Sequence, residues 1–244
     1  MRINLNCDLG EGAGHDAELM PLITSANIAC GAHAGGEATM LETYRLATMH
    51  EVSVGAHPGF ADRANFGRLE QQISPADAAE LVRSQVAFFS NITGGRLRHV
   101  KLHGALYNQV SREAPLAVAV VDELCRVWPG LTLFALAGSE LLRAARARRM
   151  SVASEVFADR TYQRDGSLTP RSRPDALIRD EHAAVAQVLR MIREGVVRAT
   201  DGTDVPIVAD TVCLHGDGPN PVGFASLLHT ELKAAGIEVR AVST

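Results

Sequence analysis

The sequence predicts an α/β protein, an irregular (β/α) barrel of seven rather than eight parallel strands. Short apolar segments alternate along the chain with stretches typical of helices, which indicates parallel strands joined by right-handed crossovers. Polar residues end nearly every predicted strand. An open doubly wound sheet would gather such residues near one switch point, whereas a barrel brings all strand ends to one face. We therefore favour a single barrel domain over residues 1–244.

The predicted strands and helices follow one another without a linker or a low-complexity segment. Strands are expected at 2–7, 25–30, 52–56, 97–102, 131–136, 151–156 and 211–214, with a closing strand at 238–242. Helices are expected at 16–23, 37–50, 75–92, 115–127, 139–149, 181–195 and 221–235. Asp16, Ser74 and Asp180 stand where an N-cap is needed. The longest irregular stretch, 157–174, is predicted to be functional or mobile.

The composition is that of an ordinary globular protein and excludes several classes of partner. The 244 residues are 46% hydrophobic and 21% charged, with a net charge of −4, so we expect no nucleic acid or membrane surface as partner. No segment resembles a signal peptide or a bilayer span. The four cysteines form no CxxC pair, and three of them lie in apolar, strand-like segments, so we expect buried free thiols, which favour a cytoplasmic location.

Four histidines share one local pattern: each follows a short apolar run and is flanked by glycine. They are His33, His57, His103 and His215. Glycine lets the backbone turn sharply or approach a ligand closely. A buried, hydrogen-bonded histidine would explain any one of them, but not all four at strand ends. We interpret them as one site, suited to proton transfer or to metal binding.

Several charged residues are expected to join this site. Asp8 and Glu11 follow the first strand, where a carboxylate forms a turn or serves as a metal ligand, a general base or an orienting group for histidine. Lys101 precedes His103 by two residues, which places both on one side of the strand, and Glu155 is its candidate partner.

Other groups are predicted at the mouth of the barrel. Asp159, Arg160 and Tyr162 are candidates for a lid, and His215 with Asp217 for a histidine–carboxylate unit. The remaining arginines of the 157–174 stretch are interpreted as solvated.

The signals for a metal and for a nucleotide differ in strength. Asp8, His33 and His57 would meet the ligand count of a catalytic metal with an open position, although no HxxxH or HExxH spacing is present. The sequence has no GxxxxGK[ST] motif and no GxGxxG after a strand, so nucleotide binding has no motif support. A serine hydrolase of the GxSxG type is disfavoured as well.

Six motifs together resemble the LamB/YcsF family, the family to which the A subunit of 5-oxoprolinase belongs. They occur in the family's order at 8–12, 25–31, 55–59, 100–108, 155–160 and 214–217. The sequence departs from the family pattern at Gly36, where an aspartate is common, and at Ala61 and Leu102, where proline is common. None of the three replaces a proposed acid, base or ligand. Gly36 leaves the helix that starts at Glu37 without a side-chain cap.

The resemblance implies the barrel of the glycoside hydrolase/deacetylase superfamily and the opening of 5-oxo-L-proline to L-glutamate. ATP would be the co-substrate, released as ADP and phosphate, and the B and C subunits of 5-oxoprolinase would be the partners. A divalent metal and a homo-oligomer are both compatible with this interpretation. The expected catalytic residues are Asp8, Glu11, His57, Lys101, His103, Glu155 and His215. The expected substrate-binding residues are Asn27, His33, Asp159, Arg160 and Asp217.

Two other functions remain open from the residues. A stand-alone, metal-dependent amidohydrolase or carbohydrate deacetylase would use Asp8, His33 and His57 as ligands and need no ATP. A non-catalytic protein of the complex would hold a small carboxylate for its partners, but this would leave the density of acid–base groups unexplained.

Overall fold

A computed structural model describes residues 1–215 and 220–242, and of His215 it describes only the backbone. The strands are β1 (Arg2–Leu9), β2 (Ser25–Ala29), β3 (Ser53–His57), β4 (His99–Lys101), β5 (Thr132–Leu136), β6 (Val152–Phe157), β7 (Val196–Arg198), β8 (Asp204–Pro206), β9 (Thr211–His215) and β10 (Glu238–Val239). Seven of them pair in parallel in the order β1-β2-β3-β4-β5-β6-β9, and β9 pairs back onto β1. The predicted seven-stranded closed barrel is thus confirmed.

Helices surround this barrel and join successive strands. They are α1 (Asp16–Leu19), α2 (Glu37–Met49), α3 (Pro75–Ile92), α4 (Gly104–Arg112), α5 (Ala114–Val127), α6 (Glu140–Ala147), α7 (Glu181–Glu194) and α8 (Pro221–Ala234). Short 3-10 turns lie at Met20–Leu22 and Arg63–Asn65. No helix within the described residues combines the length and the apolar character needed to cross a bilayer.

Two of the three predicted helix caps are confirmed. The Ser74 side chain accepts a hydrogen bond from the Asp77 amide, and Asp180 accepts one from the Ala183 amide. The prediction for Asp16 was wrong, because His15 precedes α1 and Asp16 is its first helical residue. The Asp16 carboxylate instead accepts a hydrogen bond from the Gly10 amide at 2.9 Å, so it holds the turn after β1. The Gly36 position before α2 has no side-chain cap, as expected.

The observed helices and strands differ from the predicted ones mainly at short elements. Helix α4 was not predicted, and it begins directly after His103. β4 has only three residues, and the closing strand β10 has two, pairing with Arg2 and Ile3 outside the barrel circuit. The antiparallel pair β7–β8 was also not predicted.

The inside of the barrel is polar, and this decides where the functional groups lie. In β1, Ile3, Leu5, Cys7 and Leu9 belong to the hydrophobic core. The alternate residue Asn6 crosses the barrel, where its Nδ2 donates to Glu155 Oε1 at 3.0 Å and to Thr211 Oγ1 at 2.7 Å. The alternation of β1 therefore separates a helix-facing side from a hydrogen-bonded interior, rather than core from solvent.

Candidate active site

A cavity of about 800 Å³ opens where the strands of the barrel end. Asp8, Glu11, Lys101 and His103 line it at the barrel side. Its walls come from α4, the start of α6 and residues 163–172. The long irregular stretch after β6 therefore lines the cavity. Five arginines contribute to its lining: Arg68, Arg112, Arg143, Arg160 and Arg171. The cavity is a concave site with convergent polar groups, the usual form of a small-molecule site.

Lys101 lies buried at the bottom of this cavity with its ammonium surrounded by acceptors. Its Nζ is 2.8 Å from Asp8 Oδ1 and 3.0 Å from Glu155 Oε1. The predicted partnership with Glu155 is present. Burial alone would lower the pKa of Lys101, but the carboxylates of Asp8 and Glu155 outweigh it and hold the pKa well above its ordinary value. Lys101 therefore carries a permanent positive charge.

Asp8 connects this lysine to the histidines. Its Oδ1 accepts hydrogen bonds from Lys101 Nζ and, at 2.8 Å, from Asn27 Nδ2, while Oδ2 lies 3.4 Å from His57 Nε2. Burial lowers the pKa of His57, but the nearby Asp8 carboxylate outweighs it and the net shift is upward. Asp8 thus faces the cavity with one oxygen held by Lys101 and the other directed at an imidazole.

Backbone carbonyls orient two of the histidines. His57 Nδ1 lies 2.8 Å from the Lys101 carbonyl oxygen, and His103 Nε2 lies 2.8 Å from the Phe66 carbonyl oxygen. Their other nitrogens, His57 Nε2 and His103 Nδ1, are 2.9 Å apart. Both rings are buried. In each ring, one nitrogen contacts a backbone carbonyl and the other nitrogen faces the second histidine.

Glu11 and His33 complete this cluster. Glu11 Oε1 is 3.2 Å from His33 Nε2 and 3.2 Å from His103 Nδ1, and the rings of His33 and His103 stack at 3.8 Å. Burial raises the pKa of Glu11, but contacts with His103 and His33 outweigh it and lower the pKa to about 2. Burial also lowers the pKa of His33 to about 4. At neutral pH an anionic carboxylate therefore faces a neutral imidazole.

Two glycines allow the histidines to pack this closely. A Cβ on Gly59 would lie 2.9 Å from His33 Nδ1, and a Cβ on Gly67 would lie 2.9 Å from His33 Cβ. Gly67 also has a φ of +62°, which favours glycine. The glycines around the histidines thus serve close approach, as their pattern in the sequence indicated.

The cluster differs from the predicted metal-ligand set. Glu11, His33, His57 and His103 each offer one ligand atom, and these atoms all lie within 4.8 Å of one another. The prediction named Asp8 with His33 and His57. Asp8 is instead engaged with Lys101 and Asn27 beside the cluster. Among the described residues, Glu11 and His103 are the groups that join the two histidines as candidate ligands.

The predicted lid residues have different environments. Arg160 is buried yet lines the cavity, and its guanidinium donates to the carbonyls of Thr169 and Ala176 at 2.6 and 3.3 Å. Tyr162 was wrongly assigned to a lid, because it is fully buried and its hydroxyl oxygen accepts a hydrogen bond from the Phe157 amide. Asp159, next to Arg160, is half-buried and is not among the cavity-lining residues.

Comparison with known proteins agrees with the motifs. The model of the LamB/YcsF family matches residues 3–244. This chain belongs to the LamB/YcsF family. A relative from Bacillus subtilis, named as the A subunit of 5-oxoprolinase, is 49% identical over 250 residues, covering 99% of this chain and 97% of the relative. The crystal structure of a lactam utilization protein from Thermus thermophilus is 43% identical, with a TM-score of 0.91, covering 99% of this chain and 100% of that one.

The barrel of this LamB/YcsF protein also occurs in more distant proteins. A family 4 carbohydrate esterase from Streptomyces lividans aligns over 99% of this chain and 93% of its own with a TM-score of 0.56. Because the sequence identity is 11%, this likeness shows the fold alone. The expected likeness to the deacetylase barrel is confirmed at that level.

The structure brings most of the predicted site residues of this LamB/YcsF chain into one hydrogen-bonded group. Asn27, Glu155 and Lys101 lie beneath Asp8, and the Glu11–histidine cluster lies beside it. The side chain of His215 and the whole of Asp217 lie outside the described residues. The backbone of His215 is in register with Asp8 in the barrel.

Several members of the network were not predicted. The Tyr107 hydroxyl donates to Glu155 Oε2 at 2.7 Å, and Cys213 Sγ lies 3.0 Å from Lys101 Nζ. His99, which was given no role, hydrogen bonds to Asn27 at 2.8 Å inside the barrel. Asn6 could have been found, because it alternates with Asp8 along β1. Tyr107 had no such signal, since it enters from an unpredicted helix.

Proposed function

We propose that this protein is the A subunit of an ATP-dependent 5-oxoprolinase and that it opens the ring amide of 5-oxo-L-proline. The observation that carries the proposal is the full-length similarity to a relative named for that role in 5-oxoprolinase. The cavity supports it, because two carboxylates, a buried lysine and a histidine line its barrel side, as expected for a site that opens an amide. The four free cysteines are compatible with a cytoplasmic location, which forms part of the proposal.

The overall reaction consumes one lactam, one ATP and two water molecules, and yields L-glutamate, ADP and phosphate. Transfer of the γ-phosphoryl group to the amide oxygen would make the ring carbon more electrophilic. Water then forms a new C–O bond at the ring carbon, and the ring C–N bond breaks with a proton passing to the nitrogen, which leaves γ-glutamyl phosphate. The second water hydrolyses this acyl phosphate to L-glutamate and phosphate. This coupling explains how a stable five-membered amide can be opened at neutral pH.

Asp8 is the general base in this proposal. It lines the cavity, and Lys101 and Asn27 hold Oδ1 while Oδ2 faces His57 Nε2. A carboxylate held in this way can take a proton from water. Lys101 is then a positioning residue, since its ammonium is already surrounded by Asp8, Glu155 and other acceptors.

Arg160 binds the carboxylate of the lactam in this proposal. Its guanidinium is buried at the cavity wall and bonds only to carbonyl oxygens among the described residues, without an ion pair to a carboxylate. Burial, followed by the nearby Arg171, lowers the pKa of Arg160 to about 10, which leaves it charged at neutral pH. A buried guanidinium that forms no ion pair with a carboxylate within residues 1–215 and 220–242 favours an anionic ligand.

The test is the release of glutamate and phosphate from 5-oxo-L-proline and ATP, measured for the purified chain alone and with its candidate B and C subunits. We expect turnover only with the partners and ATP, because the sequence has no nucleotide motif of its own. Turnover by the chain alone without ATP would overturn this proposal.

A stand-alone metal-dependent amidohydrolase is the second candidate, favoured by the group of Glu11, His33, His57 and His103. Such an enzyme would be active without ATP and would lose activity to a chelator. The same assay, run without ATP and with and without a chelator, separates the two functions.

A further inference from the structure

The hydrogen bonds of His57 and His103 determine which of their nitrogens carry hydrogen. The acceptor of His57 Nδ1 is the Lys101 carbonyl, and that of His103 Nε2 is the Phe66 carbonyl. A carbonyl oxygen can only accept, so His57 is protonated on Nδ1 and His103 on Nε2. In the neutral rings, His57 Nε2 and His103 Nδ1 therefore both present lone pairs.

These two lone pairs face each other and a carboxylate. His57 Nε2 and His103 Nδ1 are 2.9 Å apart, and Glu11 Oε1 lies 3.7 Å from the first and 3.2 Å from the second. None of the three atoms supplies a hydrogen to another in this state. Three electron-pair donors held this close in a buried site repel one another unless a metal ion or an added proton lies between them.

The spacing fits a metal ion held by all three atoms. Ligands at 2.0–2.1 Å from a tetrahedral zinc lie about 3.3 Å from one another. The three separations of 2.9, 3.2 and 3.7 Å bracket this value. We infer that Glu11, His57 and His103 together bind one divalent transition-metal ion.

The surroundings of the three ligands match those of a metal centre. Metal-binding histidines usually donate their second N–H to a carbonyl or carboxylate, as His57 and His103 do here. His33 Nε2 lies 3.2 Å from Glu11 Oε1, so its N–H orients the carboxylate as an outer-shell partner. With that tautomer, His33 Nδ1 is an acceptor without a hydrogen-bond partner in the described chain.

The ligand set also indicates which metal ions would bind and whether the site is open to the cavity. Two histidines and one carboxylate suit zinc, iron(II), cobalt(II) or manganese(II) and leave positions open for other ligands. Glu11 and His103 line the cavity, so an ion held by them would be accessible from it. Metal binding by these three residues is separate from the proposed function, because it would hold whether or not the chain hydrolyses a lactam.

Metal binding can be tested directly on the purified full-length chain. The protein is stripped with a chelator, dialysed against Zn²⁺ or Co²⁺, and its bound metal is measured by mass spectrometry. We expect one ion per chain, a visible absorption spectrum of bound cobalt, and a higher unfolding temperature with metal. Less than a tenth of an ion per chain for both metals would overturn the inference and leave a shared proton between the two nitrogens.

Variants locate the ion. Glu11→Gln and His103→Gln should each weaken zinc binding by more than the roughly 10–100-fold expected for loss of an outer-shell partner, and should abolish the metal-dependent rise in unfolding temperature. His50→Gln changes an exposed histidine at the end of α2 and should bind like the wild type. If His103→Gln does not fold, Glu11→Gln carries the test, since the amide keeps the size of the side chain. Wild-type affinity in Glu11→Gln would place the ion elsewhere and contradict the inference.

Discussion

Lys101 Nζ lies 3.0 Å from Glu155 Oε1 in the interior of the barrel, and both side chains are excluded from solvent. Asp8 Oδ1 approaches the same ammonium from the cavity side at 2.8 Å. One cation therefore pairs with two carboxylates. Asp8 faces the cavity, and Glu155 accepts hydrogen bonds from Tyr107 and Asn6. The charge balance of the barrel interior and the shape of the site depend on the same lysine.

Lys101→Met is expected to destabilise the fold substantially. The variant keeps the apolar stem of the side chain but leaves the carboxylates of Asp8 and Glu155 buried without their cation. Removing one partner of a buried ion pair costs about 3–5 kcal/mol. Urea denaturation followed by circular dichroism measures the change. Lys233→Met, on the exposed surface of α8, is the control and should change the free energy of unfolding little. Equal stabilities of the two variants would contradict a structural role for Lys101.

Asp8→Asn is expected to lower kcat by about 10²–10⁴ with a small effect on KM, because the amide retains the size of the side chain but cannot accept a proton as a base. The measurement is ATP-dependent glutamate release by the complex with candidate B and C subunits. Asp122→Asn, on the protein surface, is the matched control. If Asp8→Asn turns over like the wild type, Asp8 is not the base, and a substrate-binding role without catalysis gains support.

The barrel could be predicted from the sequence because the pattern that indicates it recurs along the whole chain. Seven apolar segments recur along the chain, and nearly all of them end in a polar residue, as expected when a barrel gathers its strand ends at one face. The polar interior was harder to predict. Strands buried on both sides usually form continuous apolar runs, whereas β1 alternates Asn4 and Asn6 with Leu5 and Cys7. Such alternation is typical of a strand with one solvated face, and the partners of the asparagines come from distant strands.

The sequence predicted which residues form the candidate site, but not which of them contact one another. Glycine next to histidine marked His33, His57 and His103 correctly as neighbours of one another. The separation of Asp8 from Glu11 into two hydrogen-bonding environments depends on the turn after β1, which no sequence pattern specifies. The missed Asp16 contact with Gly10 is part of that turn.

Arg160→Lys is expected to raise KM for 5-oxo-L-proline about 10–100-fold with a smaller change in kcat. Lysine retains the charge but loses the planar fork that pairs with a carboxylate, and a hydrogen bond to a charged group contributes about 1.5–3 kcal/mol. Steady-state kinetics of the complex at varied lactam concentration provides the measurement. Arg173→Lys is the control from the same part of the chain, because Arg173 is exposed and pairs with Asp175. An unchanged KM in Arg160→Lys would exclude Arg160 as the carboxylate-binding group.

His99 is expected to make the stability of the fold depend on pH. Burial, followed by the charge of Lys101, lowers its pKa from 6.5 to about 3 in the folded protein. Its contribution is therefore fully present above pH 6.5, and it is lost as the pH falls towards 3, because the unfolded chain binds a proton that the folded protein excludes. Between pH 7.5 and pH 5 the wild type should lose about 2 kcal/mol of unfolding free energy through this one residue.

His99→Gln provides the comparison for this pH dependence, because glutamine can still donate to Asn27 but does not titrate. Between pH 7.5 and pH 5, we expect the wild type to lose about 2 kcal/mol more unfolding free energy than the variant. Urea denaturation of both proteins at the two pH values measures it. All other titrating groups contribute equally to the two proteins. If the unfolding free energies of wild type and variant change in parallel with pH, His99 has the same pKa in the folded and unfolded chains, and the prediction is wrong.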